Sequence, residues 1–251
     1  MLSWPLDQLL PLAVTLPLVG IAAGLIAGLL GVGGGIVVVP VLYHVFTGLG
    51  VDEAVRMHVA VGTSLATIIA TSTASCRSHA RKGAVDFALL RAWGPFVLAG
   101  VAIGSALAGW VRGSALTGLF AVIACLVALH MAFGKAEWRL GERLPTGAAK
   151  AGLAAVIGAV SAMMGIGGGT LSVPVLTLFG TPMHRAVGTA SAIGLIIGVP
   201  GAIGFALTGW GAANLPAFSL GYVNLPGVAL ILPASMLATM RSMGRELADA
   251  R

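Results

Sequence analysis

The amino-acid sequence predicts an all-α polytopic membrane protein, on the evidence of its composition, its long apolar segments and an internal repeat. Of its 251 residues, 58% are hydrophobic and only 9% are charged, and the mean hydropathy is +1.01. A soluble domain carries roughly a quarter charged residues, so most of this surface must face lipid. Single spans of about 20 apolar residues are predicted at 58–76, 87–110, 114–134, 186–208 and 223–240.

Two further apolar segments, 9–47 and 151–180, are interrupted by glycine-rich runs. Each predicts a re-entrant helical hairpin, because irregular backbone at membrane depth is tolerated only where protein or water satisfies its polar groups. We call the glycine-rich runs 31–35 and 165–169 the first tip and the second tip. The chain then divides into a first repeat, 1–146, and a second repeat, 147–251, which ends in a polar tail.

The two repeats share a compound motif. The sequence GVGGGIVVVPVL at 31–42 recurs as GIGGGTLSVPVL at 165–176, and HVAVGT at 58–63 recurs as HRAVGT at 184–189. Both motifs occur in the same order, half a chain apart, so chance is a poor explanation. Internal symmetry of this kind is a signature of secondary transporters.

The basic residues predict the orientation of the chain in the membrane. They cluster after the span 58–76, in the loop 135–150 and in the tail, and the positive-inside rule places all three clusters in the cytoplasm. The uncharged loop 209–221 is then external. The loop 48–57 is also external, whereas its counterpart 181–185 is internal, so the two repeats are predicted to have inverted topology.

The paired GxGGGxxxVPVL and HxAVGT motifs resemble those of the sulfite exporter TauE/SafE family of bacterial membrane proteins. The resemblance implies a multi-pass protein of the bacterial inner membrane that exports sulfite, an organosulfonate or another small sulfur-containing anion. Family members usually continue into a final span that matches 114–134. The expectation is therefore that the last helix of the second repeat is missing here, either by truncation or in this member itself.

Glycines at the two tips are the first candidate binding residues. Helix N-termini carry partial positive charge and unpaired N–H donors, so they bind anions, and glycine lets a ligand approach the backbone closely. The alternative is a close helix crossing, which small residues commonly make. The predicted ligands are Gly33, Gly34, Gly35, Gly167, Gly168 and Gly169.

Hydroxyl groups follow each hairpin and are the second set of candidates. Thr63 and Ser64 lie near the start of the span after the first hairpin, and Thr189 and Ser191 lie at the corresponding place after the second. A hydroxyl can donate a hydrogen bond to an oxyanion without the cost of burying a charge. The alternative is a hydroxyl that bonds its own helix carbonyl. His58 and His184 also repeat and titrate near neutral pH, so they are candidate proton relays, although an interfacial histidine needs no such role.

The remaining residues bear on what else the chain could do. No Asp or Glu falls within a predicted span, and no nucleotide-binding lysine motif or nucleophile–base arrangement is present. We therefore expect no catalytic residues, no cofactor, no metal site and no nucleic-acid partner. The expected partners are a small anion, the lipid bilayer and, as an open alternative, a second copy in a homodimer. Rival functions are a membrane-embedded scaffold or interaction subunit and a carrier of a different ion.

Overall fold

The computed structural model describes residues 14–25, 34–133, 141 and 144–249, and this part of the chain forms nine helices and one short β-hairpin. The helices are α1 (Val14–Leu25), α2 (Gly35–Gly48), α3 (Glu53–Arg81), α4 (Phe87–Trp110), α5 (Gly113–Phe133), α6 (Gly147–Met164), α7 (Gly169–Leu178), α8 (Met183–Thr208) and α9 (Leu225–Asp249). The strands β1 (Ser219–Leu220) and β2 (Val223–Asn224) pair antiparallel between α8 and α9. Gly33, a predicted ligand, lies outside the described residues.

The prediction of an all-α polytopic membrane protein is confirmed. Within the described part of the chain, five helices are long and apolar enough to cross a membrane, namely α3, α4, α5, α6 and α8. The helix α3 begins earlier than the predicted span 58–76, because the side chain of Asp52 accepts a hydrogen bond of 2.9 Å from the N–H of Ala54 and so caps the helix. Each predicted hairpin segment contains two helices, α1 with α2 and α6 with α7.

The central helices α3 and α8 run in opposite directions. Near the start of α3, Gly62 faces the carbonyl oxygen of Tyr222, and Gly209 at the end of α8 faces the backbone of the same residue. Near the start of α8, Gly188 faces the carbonyl oxygen of Ala84, which follows α3. The beginning of each helix therefore lies beside the end of the other. Repeats of inverted topology require this antiparallel arrangement.

Each hairpin packs against a long helix of the other repeat. In α4, Gly100 and Gly104 face backbone atoms of α6, where Ala155 lies directly against Gly100. In α1, Gly24 faces the backbone of α9, and the Thr239 hydroxyl donates a hydrogen bond of 2.9 Å to the Gly24 carbonyl oxygen. Small residues allow this close approach of helix backbones. The two repeats are therefore joined through both hairpins.

Loops that were predicted to lie on one side of the membrane are in contact. The Asn214 side-chain amide donates a hydrogen bond of 2.6 Å to the carboxylate of Asp52, which joins the loop before α3 to the loop after α8. The Ala54 N–H and the Asn214 amide together lower the pKa of Asp52. The segments 48–57 and 209–221 therefore share one side, as the orientation argument expects.

Cysteine labelling tests the absolute orientation. Single exposed cysteines introduced as Ala213→Cys, Lys82→Cys and Ala148→Cys, in a Cys76→Ser, Cys125→Ser background, should react differently with a membrane-impermeant maleimide in whole cells. We expect labelling of Ala213→Cys alone, because the positive-inside rule predicts that the other two positions lie on the cytoplasmic side. Labelling of Lys82→Cys and Ala148→Cys without Ala213→Cys would show that the chain is oriented the other way. Permeabilised cells serve as the control for reactivity.

Candidate functional site

The described end of the first tip, Gly34 and Gly35, meets the second tip inside the protein. Gly34, Gly35 and every residue of the second tip are buried. A Cβ atom placed on Gly35 would strike the carbonyl oxygen of Gly165 and would lie 2.9 Å from Cδ1 of Ile68 in α3. Gly34 has a φ of 75° and packs against the Ala23 backbone of its own hairpin. The broken ends of both hairpins are therefore placed next to each other and against the central helix α3.

The second tip joins a helix C-terminus to a helix N-terminus. Gly165 ends α6 in the left-handed conformation, with a φ of 66°, and its N–H donates to the carbonyl oxygen of Ala162. The next N–H, that of Ile166, donates to the Ser161 carbonyl, so the end of α6 is capped as glycine-terminated helices commonly are. The following helix α7 begins at Gly169, and the N-cap residue Gly168 makes no side-chain cap bond.

A hydrogen bond from Ser64 joins α3 to the second tip. Its hydroxyl is fully buried and donates a hydrogen bond of 2.7 Å to the carbonyl oxygen of Gly165. This bond satisfies one of the carbonyl groups that a helix leaves unpaired at its C-terminus. Of the predicted hydroxyl ligands, Ser64 is the one that directly contacts a tip through a hydrogen bond in the structure.

Thr63 and Thr189 make equivalent contacts at opposite ends of the central helices. The Thr63 hydroxyl oxygen accepts a hydrogen bond of 2.9 Å from the N–H of Asn224, which precedes α9. The Thr189 hydroxyl oxygen accepts one of 3.0 Å from the N–H of Asp86, which precedes α4. Each repeated threonine thus holds the start of a helix in the other repeat. This explains the repeated Gly-Thr pair structurally, and anion binding by these two hydroxyls stays a prediction.

Replacing either threonine with valine should destabilise the protein. The change leaves a backbone N–H without its acceptor, and an unsatisfied buried donor costs about 1–3 kcal/mol. We expect the larger loss for Thr63→Val, because the bond to Asn224 is buried whereas the bond to Asp86 is partly buried. Chemical denaturation in detergent measures the loss. The control is Thr117→Val, whose hydroxyl bonds a carbonyl of its own helix. Equal stability of all three variants would contradict this role.

The hydrogen bonds of the other predicted polar residues go to partners outside the tips. The Ser191 hydroxyl donates to the Gly188 carbonyl oxygen at 2.6 Å, one turn back in the same helix. The buried His58 ring places Nε2 at 3.0 Å from the carbonyl oxygens of Ala108 and Val111, so it anchors the end of α4. His184 is exposed near the start of α8. Neither histidine contacts a tip in the structure, and a proton-relay role for them stays a prediction.

Sequence reasoning missed a second group of buried hydroxyls. They are at most 3% exposed, and the structure gives them no hydrogen-bond partner. The residues in this group are Ser72, Ser75, Ser161, Thr170 and Ser172. Two of them could have been found by aligning the repeats, because Thr170 and Ser172 replace the apolar Ile36 and Val38 of the first motif. Ser72 carries no such signal, since only the helix packing brings it near a tip.

The buried polar side chains of the described residues are either uncharged or histidines. Among the described residues they are Ser, Thr, Asn and His, and none is Asp, Glu, Lys or Arg. The same residues contain no group of three or more His, Cys, Asp or Glu side chains that could hold a metal ion. The site therefore offers neutral hydrogen-bond donors and helix dipoles rather than fixed charges.

Helices that break at buried glycines near the middle of a membrane protein are typical of membrane transporters. Comparisons with known proteins support the same class of function. The chain belongs to the Sulfite exporter TauE/SafE family, which it matches over residues 16–245. It is therefore a multi-pass membrane transport protein, in agreement with the resemblance given by its motifs.

Relatives in several organisms share this class. A "Probable membrane transporter protein" of Haemophilus influenzae is 32% identical over 186 residues, which cover 73% of this chain and 70% of the relative. One from Xylella fastidiosa is 35% identical over 187 residues, or 70% and 64% of the two chains. One from Methanocaldococcus jannaschii is 28% identical over 195 residues, or 75% and 68%. No solved structure matches the chain.

Proposed function

We propose that this protein exports sulfite or a related small sulfur-containing oxyanion, such as an organosulfonate, by alternating access across the bacterial inner membrane. The observation that carries the proposal is the meeting of two buried glycine tips, at which the helices α2 and α7 begin. A helix N-terminus is an anion-binding site by virtue of its free N–H groups and its dipole. The proposed ligands are backbone N–H groups of the tips, Gly33 included, with the nearby hydroxyls.

The absence of buried fixed charge among the described residues fits transport of an anion that must also be released. A buried lysine or arginine would add the attraction between two full charges to its hydrogen bonds with an oxyanion, and this attraction is strong away from water. Neutral donors contribute less each, about 1.5–3 kcal/mol for a hydrogen bond to a charged group, and several of them can be made or broken as the site opens. The anion is therefore held by many moderate contacts.

The antiparallel central helices support a mechanism based on inverted repeats. In this mechanism the two repeats exchange conformations, so that the tips face first one side of the membrane and then the other. Each hairpin packs against the other repeat through α4 with α6 and α1 with α9, so a movement of one repeat displaces the tip of the other. The anion site between the tips is then opened alternately to the two sides.

Uptake into liposomes containing the purified protein tests the proposal. The panel consists of sulfite, sulfoacetate, sulfate and chloride, with sodium uptake as a test for cation transport. We expect sulfite or sulfoacetate to enter faster than into protein-free liposomes, and chloride and sodium to enter at the protein-free rate. Uptake of sodium without uptake of any sulfur oxyanion would overturn the proposal.

A further inference from the structure

Ser72 places a buried hydroxyl beside the second tip. This residue of α3 is 1% exposed, and its Oγ has no hydrogen-bond partner in the structure. Gly194 of α8 is close both to Ser72 and to the second tip. A Cβ atom placed on Gly194 would be 2.6 Å from the Ser72 Oγ and 3.4 Å from the backbone nitrogen of Gly168. Gly194 therefore packs directly against Ser72 and lies close to the Gly168 backbone nitrogen, so the Ser72 hydroxyl and the second tip are near neighbours in the packed interior.

The N-terminus of helix α7 lies at the second tip and carries partial positive charge. The helix has ten residues and begins at Gly169, directly after Gly168, with no side chain capping its first N–H groups. The first N–H groups of a helix have no partner within the helix, and here the helix begins in the buried interior, since Gly168, Gly169 and Thr170 are all buried. Burying unsatisfied donors is costly, so an acceptor bound at this point would stabilise the structure.

The first tip has different surroundings. The N-terminus of α2 at Gly35 faces the carbonyl oxygen of Gly165, which is the negative end of α6. The residues that follow are also different, because α2 continues with Ile36 and Val38 where α7 has Thr170 and Ser172. An anion at the first tip would meet a carbonyl oxygen and apolar side chains. An anion at the second tip would meet a hydroxyl and backbone N–H groups.

We propose that the transported oxyanion binds at the second tip, where the N-terminal N–H groups of α7 and the Ser72 hydroxyl donate hydrogen bonds to its oxygens. The two repeats are then unequal in function, because the second tip binds the anion and the first tip does not. Gly194 is required because the Cβ atom of any side chain there would lie 2.6 Å from the Ser72 Oγ and would push the hydroxyl out of place. This inference rests on the proposed function and assigns Ser72 and Gly194 to its binding site.

The test measures sulfite binding by calorimetry with the full-length protein in lipid nanodiscs. Ser72→Ala should weaken sulfite binding about tenfold to a hundredfold, because it removes one hydrogen bond to a charged ligand. Gly194→Ala should weaken it at least as much, because the new Cβ atom would displace the Ser72 hydroxyl from its place beside the second tip. The matched controls are Ser105→Ala, whose buried hydroxyl already bonds the Val101 carbonyl oxygen at 2.8 Å, and Gly152→Ala, whose Cβ would meet nothing within 4 Å.

Stability without ligand separates a binding role from a structural one. Ser72→Ala removes a buried hydroxyl that has no partner, so the ligand-free protein should unfold at the same temperature as the parent or at a higher one. The rise in unfolding temperature that sulfite gives the parent should be smaller in this variant. A lower unfolding temperature without ligand and an unchanged sulfite affinity would assign Ser72 to packing and overturn the inference.

The outcomes distinguish this inference from the proposed function. If the parent binds sulfite or sulfoacetate and Ser72→Ala binds it equally well, the anion site lies elsewhere and the inference is wrong, while the proposed function stands. If the parent binds neither anion, the proposed substrate class is wrong. The inference is then wrong as well, because it rests on the proposed function. Weakened binding in Ser72→Ala and Gly194→Ala, with parental binding in both controls, is the result that supports the inference.

Discussion

Replacing Gly168 with leucine should abolish sulfite binding and transport. A Cβ atom at this position would lie 2.7 Å from the Gly194 nitrogen and 2.7 Å from Cγ2 of Ile193, so a leucine side chain cannot fit without displacing the second tip from α8. It would also disturb the start of α7, because Gly168 is the N-cap residue of that helix. Sulfite uptake into liposomes should fall to the protein-free level, and calorimetry should detect no binding.

The control for this variant is Gly152→Leu in the same hairpin. Gly152 is exposed, and a Cβ atom there would meet nothing within 4 Å. This protein should bind and transport sulfite as the parent does. Parental transport by a folded Gly168→Leu protein would show that the second tip is not part of the anion site. Size-exclusion chromatography of both proteins confirms that they are folded and of the same oligomeric state.

The second large effect is expected where the two repeats cross. Gly100 in α4 lies so close to α6 that a Cβ atom would strike the carbonyl oxygen of Ala155 and lie 2.8 Å from its carbonyl carbon. Gly100→Leu should therefore separate the two helices. Overpacking costs about 1–3 kcal/mol where side chains can yield, and we expect about 3 kcal/mol or more here because the obstacle is backbone.

Denaturant titration of the purified protein measures this loss. Gly118→Leu in α5 introduces the same side chain at an exposed position where a Cβ atom meets nothing within 4 Å. It should unfold at the parental midpoint, whereas Gly100→Leu should unfold at a clearly lower denaturant concentration. Coincident unfolding curves for the two leucine variants would contradict the close packing of α4 on α6.

Much of the fold could be predicted from the sequence because lipid imposes simple rules. A span needs about 20 apolar residues, so α4 and α5 were placed to within a residue or so of the predicted spans 87–110 and 114–134. The extension of α3 back to Glu53 was missed, because helix capping by Asp52 acts outside the apolar segment. The contact of Asp52 with Asn214 joins distant parts of the chain and has no local pattern.

The candidate site was harder to predict for a physical reason. The repeated glycines follow from their motif, and the structure places Gly35 and Gly168 in the buried interior as the motif suggests. A hydroxyl, however, can bind a ligand, a helix carbonyl or a distant backbone N–H, and sequence does not say which. Thr63 repeats and bonds the Asn224 N–H, whereas Ser72 does not repeat and lies beside the second tip. Packing of α3 against α8 decides between these roles.

The most direct test of the account is to locate a bound anion. Crystals of the full-length protein grown with selenite, the selenium analogue of sulfite, would show the anion as an anomalous peak at the selenium edge. We expect a peak at the second tip, within hydrogen-bonding distance of the α7 N-terminus at Gly168 and of the Ser72 hydroxyl. Selenium peaks found only in the loops or on the lipid-facing surface, with the space beside Gly168 empty, would contradict it.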